Sequence, residues 1–163
     1  MSLTGDPIAS ITLVSAASSV TFSGIPQTYT DLLAVCRVRS TGAASTSGGT
    51  LRLNGDAGSN YSHTILFDVG SIRAANVDRM RVFGDIPTGA FATTFVHFAS
   101  YANTNVNKAV LSAYGEAGSG ISRIAGLWRS TSAITSISFF SNDGGSDSME
   151  SESTFDLYGV RGA

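Results

Sequence analysis

Two histidines are the first side chains of this 163-residue chain that could carry chemistry, as metal ligands or as acid–base groups. Neither His63 nor His97 has a second histidine, a cysteine or a carboxylate at the i+2 or i+4 spacing of zinc motifs. His97 lies between Phe95 and Ala99 on one face of an apolar run, which predicts a hydrogen-bonded, partly buried imidazole. We therefore expect no metal site.

The single cysteine is the next candidate, as a nucleophile. Cys36 lies inside the apolar run 32–38, where a free thiol usually packs as a small buried hydrophobe. A nucleophilic cysteine needs an exposed, electropositive setting. A Ser-His-Asp triad is compatible with the composition, but the Gly-x-Ser-x-Gly elbow does not occur. The sequence thus predicts no catalytic residue and no cofactor, and the expectation is that the chain is not an enzyme.

An acidic run and an Asn-Gly pair are the remaining candidates. Residues 142–152 hold four carboxylates, which could bind a divalent cation, meet a basic patch on a partner, or form a solvated loop. The run Asn54, Gly55 and Asp56 follows an alternating strand and predicts a tight turn, because both Asn and Gly tolerate positive φ. A calcium loop is disfavoured there because the EF-hand spacing and its closing glutamate are absent.

The composition excludes several classes of partner. Charged residues make up 13% of the chain, the formal net charge is −2 and Lys108 is the only lysine, so a nucleic acid partner is not expected. No apolar stretch approaches the ~20 residues of a membrane-spanning helix, so no membrane partner is expected. The first ten residues lack a basic run followed by an apolar one, which favours synthesis and folding in the cytoplasm.

The elements that must position these residues are β-strands. Runs of Val, Ile, Phe, Thr and Tyr alternate with clusters of Gly, Ser, Asn and Asp, which predicts an all-β, antiparallel two-sheet jelly roll or β-sandwich. Two or three of the eleven candidate strands are expected to merge, bend or be extensions. Residues 69–80 are expected to form a helical turn or a long loop. The candidate strands are 9–14, 19–23, 31–40, 50–54, 63–67, 79–83, 93–101, 108–114, 123–129, 134–141 and 154–160.

The chain ends and loops complete the predicted organisation. Residues 1–7 are expected to form a flexible N-terminal arm, because chain ends are ordered only when tied down, and residues 8–163 to form a single jelly-roll domain. Residues 40–49 and 142–153 are expected to be loops. The strand at 108–114 is apolar on both faces, with Ala109, Leu111 and Ala113 on one side, so it needs cover from the domain or from a neighbouring subunit.

Trp128 is the sole tryptophan and shares a strand face with Gly126. A buried tryptophan beside a glycine that lets backbones approach is one interpretation. An exposed anchor of a subunit contact, together with Arg129, or a sugar-stacking platform is the other.

Five phrases combine apolar residues with turn residues, and the resemblance that they carry covers roughly residues 19–160. In order they are IPQTYTDL (25–32), LRLNGDAGSNY (51–61), YANTN (101–105), AGLWRS (125–130) and FDLYGV (155–160). With Asn54-Gly55-Asp56 and Gly126-Leu127-Trp128-Arg129 as its most specific pieces, this series resembles jelly-roll proteins of tailed-bacteriophage virions. Some of that family decorate or cement the capsid, and others form tail-fibre or receptor-binding heads.

The resemblance implies a function without catalysis. It implies a decoration (cement) protein on the outer capsid surface of the virion, a homotrimer that binds the major capsid protein and stabilises the shell. The alternative is a tail-fibre or receptor-binding head that recognises host surface carbohydrate. Strand addition by the N-terminal arm to a capsid edge is the expected contact, through Ser2, Leu3, Thr4, Gly5, Asp6, Pro7 and Ile8.

Overall fold

The computed structural model describes residues 5–41, 48–67, 70–86, 88–116, 120–141 and 147–162. Within these ranges every regular element is a β-strand, and no helix long and apolar enough to cross a membrane is found. The strands are β1 (Gly5–Thr12), β2 (Ser19–Ser23), β3 (Asp31–Val38), β4 (Gly48–Leu53), β5 (Tyr61–Phe67), β6 (Gly70–Val77), β7 (Met80–Asp85), β8 (Ala92–Phe98), β9 (Lys108–Glu116), β10 (Gly120–Trp128), β11 (Ser136–Phe140) and β12 (Thr154–Val160).

The strands form two antiparallel sheets. The large sheet has eight strands in the order β1-β12-β3-β8-β9-β10-β5-β6, and the small sheet has four in the order β2-β11-β4-β7. The predicted antiparallel two-sheet sandwich is therefore confirmed. All eleven predicted strands have a counterpart in the described part of the chain and none merges with another there, so the expected merging of strands was wrong.

The prediction of a helical turn or loop over residues 69–80 was also wrong, because β6 occupies most of that segment. Its residues pair with β5, with Ile72 opposite Ile65 and Ala74 opposite His63. Since β6 lies at the sheet edge and six of its eight residues are exposed, it lacks the inward–outward alternation that identifies a strand from sequence. Pairing with β5 decides its conformation.

The N-terminal segment is more ordered than predicted. Strand β1 begins at Gly5, and Gly5, Asp6 and Pro7 pair with Val160, Gly159 and Tyr158 of β12, so the predicted arm was wrong for its last three residues. Backbone pairing does not require particular side chains, so this segment forms a strand without a strong apolar pattern. A register shift between Pro7 and Ala9 places Pro7, which lacks an N–H, beside a bulge on an edge strand. Residues 1–4 lie outside the described residues.

The core lies between the sheets. The ring of Phe139 is 6.4 Å from that of Phe22 and 6.0 Å from that of Phe83 within the small sheet, and 5.7 Å from Phe155 of the large sheet. Cys36 is fully buried beside them, which confirms its predicted packing role. Burial raises the pKa of its thiol, so the thiolate is disfavoured.

Candidate contact surface

The face of the large sheet that points away from the small sheet is the main candidate site. Along β3, β8, β9 and β10 alternate residues are buried against the small sheet, and the residues between them form what we call the outer face. One row of this face crosses five strands, since each residue is the register partner of the next: Leu33, His97, Leu111, Ala125 and Thr64.

The outer face exposes large apolar side chains. Phe95 is 50% exposed, Leu66 and Leu111 are each 56% exposed, and Ile121 is 63% exposed. Each comes from a different strand, and the small side chains of Ala113 and others lie between them. The prediction that the strand at 108–114 is apolar on both faces is confirmed, and the described part of the chain leaves its outer side uncovered. Contiguous exposed apolar side chains mark interaction sites in soluble proteins.

Two depressions cross this face. One has a volume of about 650 Å³ and lies among Phe95, Leu111, Leu66 and Arg123, with a mostly apolar lining. The other, of about 490 Å³, lies beside Leu33 and Tyr158. His97 lines both, so the two depressions adjoin and run across the strands.

His97 is held in place on the ridge between the depressions. Its Nε2 lies 3.0 Å from Oδ2 of Asp31, and Oδ1 of Asp31 accepts a hydrogen bond of 2.7 Å from the backbone N–H of Ser100. The side chain of His97 is 39% exposed. The predicted partly buried, hydrogen-bonded imidazole is confirmed. Within the described ranges no three His, Cys, Asp or Glu side chains lie close enough to hold a metal ion.

Arginines give the outer face a positive character that the net charge of −2 conceals. Arg123 and Arg73 are exposed, and neither forms an ion pair with another described residue. Arg37 packs its guanidinium 3.5 Å from the centroid of the Phe91 ring. The aspartates of the face already have partners in the chain, since Asp31 bonds His97, and Asp156 accepts a hydrogen bond of 2.5 Å from Ser10.

The predicted turn and the tryptophan form one structural corner. Asn54 and Gly55 have φ of 53° and 68°, which confirms the predicted tight turn. Asp56 then accepts hydrogen bonds from the backbone N–H of Gly58, from Asn60 Nδ2 and, at 2.7 Å, from Trp128 Nε1.

Trp128 itself is only 3% exposed and stacks on Tyr61, with ring centroids 6.3 Å apart. Of its two interpretations, the structure therefore supports the core anchor. Arg129 donates to the carbonyl oxygen of Ser59 and to Oδ1 of Asn76, at 2.8 and 2.9 Å, so it fastens the start of β5 to the end of β6. The side chains of the corner thus form contacts that stabilise the fold.

The other predicted site residues are placed as follows. Ser2, Leu3 and Thr4 lie outside the described residues, and so do residues 142–146 of the acidic run. Gly5, Asp6, Pro7 and Ile8 lie in the edge strand β1, where Gly5 lines the second depression. Glu150 and Glu152, at the end of the acidic run, both form ion pairs with Arg39, at 2.9 and 3.4 Å. These two glutamates are therefore engaged within the chain.

Sequence reasoning missed the outer-face depressions and their arginines. The alternation of Ala109, Leu111 and Ala113 was the available signal, and it predicted a second apolar strand face that needs cover, from the domain or from a neighbouring subunit. It did not indicate that Phe95, Arg123 and Leu66 would join it, because strand order within the sheet is not readable from periodicity.

The comparisons with known proteins give little beyond this geometry. No protein-family model matches the chain. No curated protein matches it. Among solved structures, the chain is similar to alginate lyase Aly36B, with 13% identity and a TM-score of 0.44 over 94% of this chain and 79% of that one. It is also similar to a double mutant of that lyase in complex with alginate tetrasaccharide, with 13% identity and a TM-score of 0.39 over 94% of this chain and 80% of that one.

The expectation that this chain is not an enzyme is corrected by these comparisons. The solved structures it is similar to are those of a lyase, so the expectation is contradicted and is withdrawn. At such TM-scores the likeness carries no argument about a substrate or about site residues of this chain.

Proposed function

We propose that this chain is a capsid decoration protein of a tailed bacteriophage, which binds the outer capsid as a trimer and stabilises the shell. The observation that carries the proposal is the outer face, where Phe95, Leu111, Leu66 and Ile121 are half or more exposed on one sheet surface. A protein that acts by binding a partner needs such a surface. The motif series, which resembles that of virion jelly-roll proteins, supports a place for the chain on a virion.

The proposed mechanism is preferential binding to the assembled shell. A protein that binds assembled capsomers and not dissociated ones shifts the assembly equilibrium by mass action, by RT ln(1 + [L]/Kd) at each site. A trimer repeats each contact three times, and the effective concentration of the second and third contacts multiplies the strength of the first. A modest outer-face contact then suffices for stable attachment.

Reconstitution on shells tests the proposal. Shells prepared without this chain are incubated with the purified protein, sedimented, and heated to follow disruption by light scattering. We expect the protein to co-sediment and to raise the disruption temperature, and light scattering of the free protein should give three times the chain mass. Cryo-electron microscopy of the virion should place the chain at repeated outer sites. Density at the tail alone would overturn the proposal.

A receptor-binding head that recognises host carbohydrate is the second candidate. It is favoured by the two depressions that His97 lines in common, one of which contains the ring of Phe95 and the other the ring of Tyr158. Aromatic rings stack on sugar faces. Glycan-array binding by the isolated protein, together with tail-only density on the virion, would favour this candidate over the first.

A further inference from the structure

The outer face divides into two parts, and the part formed by β9, β10, β5 and β6 has an unusual balance of side chains. Its exposed large side chains are the aliphatic Leu66, Leu111 and Ile121 and the cationic Arg73 and Arg123. In these four strands no described outward position holds a carboxylate. We call this part the apolar–arginine half.

The size of the outer face fits a protein partner. The eight strands of the large sheet, about 4.8 Å apart and about six residues long, give a surface of about 34 Å by 20 Å, or about 700 Å², and the four strands of the apolar–arginine half cover roughly half of it. A standard protein complex buries about 800 Å² per partner. Aromatic and arginine residues are also enriched in such interfaces. Phe95 on β8 and Arg123 on β10 are both register partners of Ala113, which lies between them on β9.

A second copy of the same face is a poor occupant. If the apolar–arginine halves of two copies stacked on each other about a two-fold axis, Arg73 and Arg123 of both copies would be buried together, with no carboxylate at the described outward positions of either half to meet them. Like charges brought together in an interface strongly weaken the complex. The occupant must therefore supply negative charge as well as apolar side chains.

A polysaccharide is also disfavoured as the occupant of this half. Sugars need dense hydrogen-bonding groups and aromatic platforms, whereas the first depression offers the ring of Phe95 among the aliphatic side chains of Leu66 and Leu111. Its hydroxyl and imidazole groups are few, from Thr64, Ser71, Ser112 and His97, and the hydroxyl of Ser112 already donates to the carbonyl oxygen of Val82. Aliphatic side chains of a protein fill such a depression better than hydroxylated rings.

We infer that the apolar–arginine half docks an acidic protein surface of the capsid. This inference rests on the proposed function. Aliphatic or aromatic side chains of the capsid protein occupy the depression between Phe95, Leu111 and Leu66, and carboxylates beside them pair with Arg123 and Arg73. Bidentate pairing of arginine with carboxylate fixes the orientation of the chain on the shell.

Four variants test the inference by co-sedimentation with shells that lack this chain. Leu111→Ser removes an apolar contact, and Arg123→Glu and Arg73→Glu reverse the two charges. All three sites are exposed, so the variants should fold and unfold like the wild type. Val14→Ser is the matched control, since Val14 is 95% exposed and lies outside the large sheet. We expect the three face variants to bind at least tenfold more weakly, the control to bind normally, and wild-type binding to weaken with added salt.

The other outcomes separate failure of the inference from failure of the proposed function. If the wild type and all four variants bind shells equally, the docking surface is elsewhere and only the inference fails. If Leu111→Ser dissociates the free trimer in size-exclusion chromatography, a second copy occupies the face and the inference again fails. If the wild type does not bind shells but binds polygalacturonate, and Arg123→Glu abolishes that binding, both the inference and the proposed capsid function fail. The ligand of this face is then a polysaccharide.

Discussion

Lys108 allows a direct test of what stabilises the loops at one end of the sandwich. The side chain is fully buried at the start of β9, and its ammonium donates to three backbone carbonyls, those of Asn103 at 2.6 Å, Val106 at 2.8 Å and Thr131 at 3.1 Å. Two of these carbonyls belong to the β8–β9 connection and the third to the β10–β11 connection. One cation therefore ties two loops together.

The perturbation is Lys108→Met, which keeps the length of the side chain and removes its donors. Three carbonyls then lose a partner at about 1–3 kcal/mol each, or about 3–9 kcal/mol in all. Against this, the variant no longer buries an ammonium, a burial that lowers the pKa of Lys108 and costs several kcal/mol. We expect a net loss of about 3 kcal/mol in the free energy of unfolding.

Urea unfolding followed by the fluorescence of Trp128, the sole tryptophan, measures this loss directly. Arg123→Met is the matched control, because it also replaces a cation by Met but at an exposed site, and it should change the free energy of unfolding by less than about 0.5 kcal/mol. A Lys108→Met protein as stable as the wild type, or more stable, would show that the three hydrogen bonds do not outweigh the burial of the charge, and would refute this account.

Three further predictions concern the corner and its neighbours. A Cβ on Gly126 would collide with the side chain of Met80, so Gly126→Ala should lower the free energy of unfolding by about 1–3 kcal/mol, measured by thermal unfolding. The double variant Gly126→Ala with Met80→Ala should lose less stability than the sum of the losses of the two single variants. The hydrogen bond from Trp128 is the main cause that lowers the pKa of Asp56. The wild type should therefore be more stable than Asp56→Asn above pH 3.8, and this difference should fade in acid titration as the pH falls through the lowered pKa. A difference in stability that is unchanged at pH 2 would contradict this. Burial raises the pKa of Tyr61 from 10.0 to about 12. The wild type should therefore lose about 2 kcal/mol of stability relative to Tyr61→Phe as the pH rises from 10 to 12, measured by urea unfolding, and parallel curves for the two proteins would contradict the assignment.

The local features of the fold could be predicted because each depends on neighbours in sequence. The apolar run 32–38 correctly predicted that Cys36 is buried, and the Asn-Gly pair correctly placed a turn. Strand β6 could not be predicted, because its partner β5 determines its conformation and its own residues are mostly exposed. The pairing of β1 with β12, which joins the two ends of the chain, could not be predicted for the same reason.

The candidate surface depends even more on long-range pairing. Leu66, Phe95 and Arg123 lie about thirty residues apart along the chain, and the strand order β8-β9-β10-β5 brings them to one depression. Each residue alone is an ordinary outward position on a strand, since isolated exposed apolar side chains are common. The depression exists only once the order of the strands is known.

The two most specific motif pieces meet in the structure, and this changes what the motif series can indicate. Asp56 of the first piece accepts the hydrogen bond of Trp128 in the second, and Arg129 fastens the strand that follows the first. These residues form a tight turn and hydrogen bonds within the chain, so they determine how the sandwich closes at one end. A resemblance carried by such residues bears only on the scaffold, and it does not distinguish a capsid partner from a glycan. That distinction belongs to side chains such as Leu111 and Arg123, which stabilise no part of the corner and are therefore free to differ between proteins that share it.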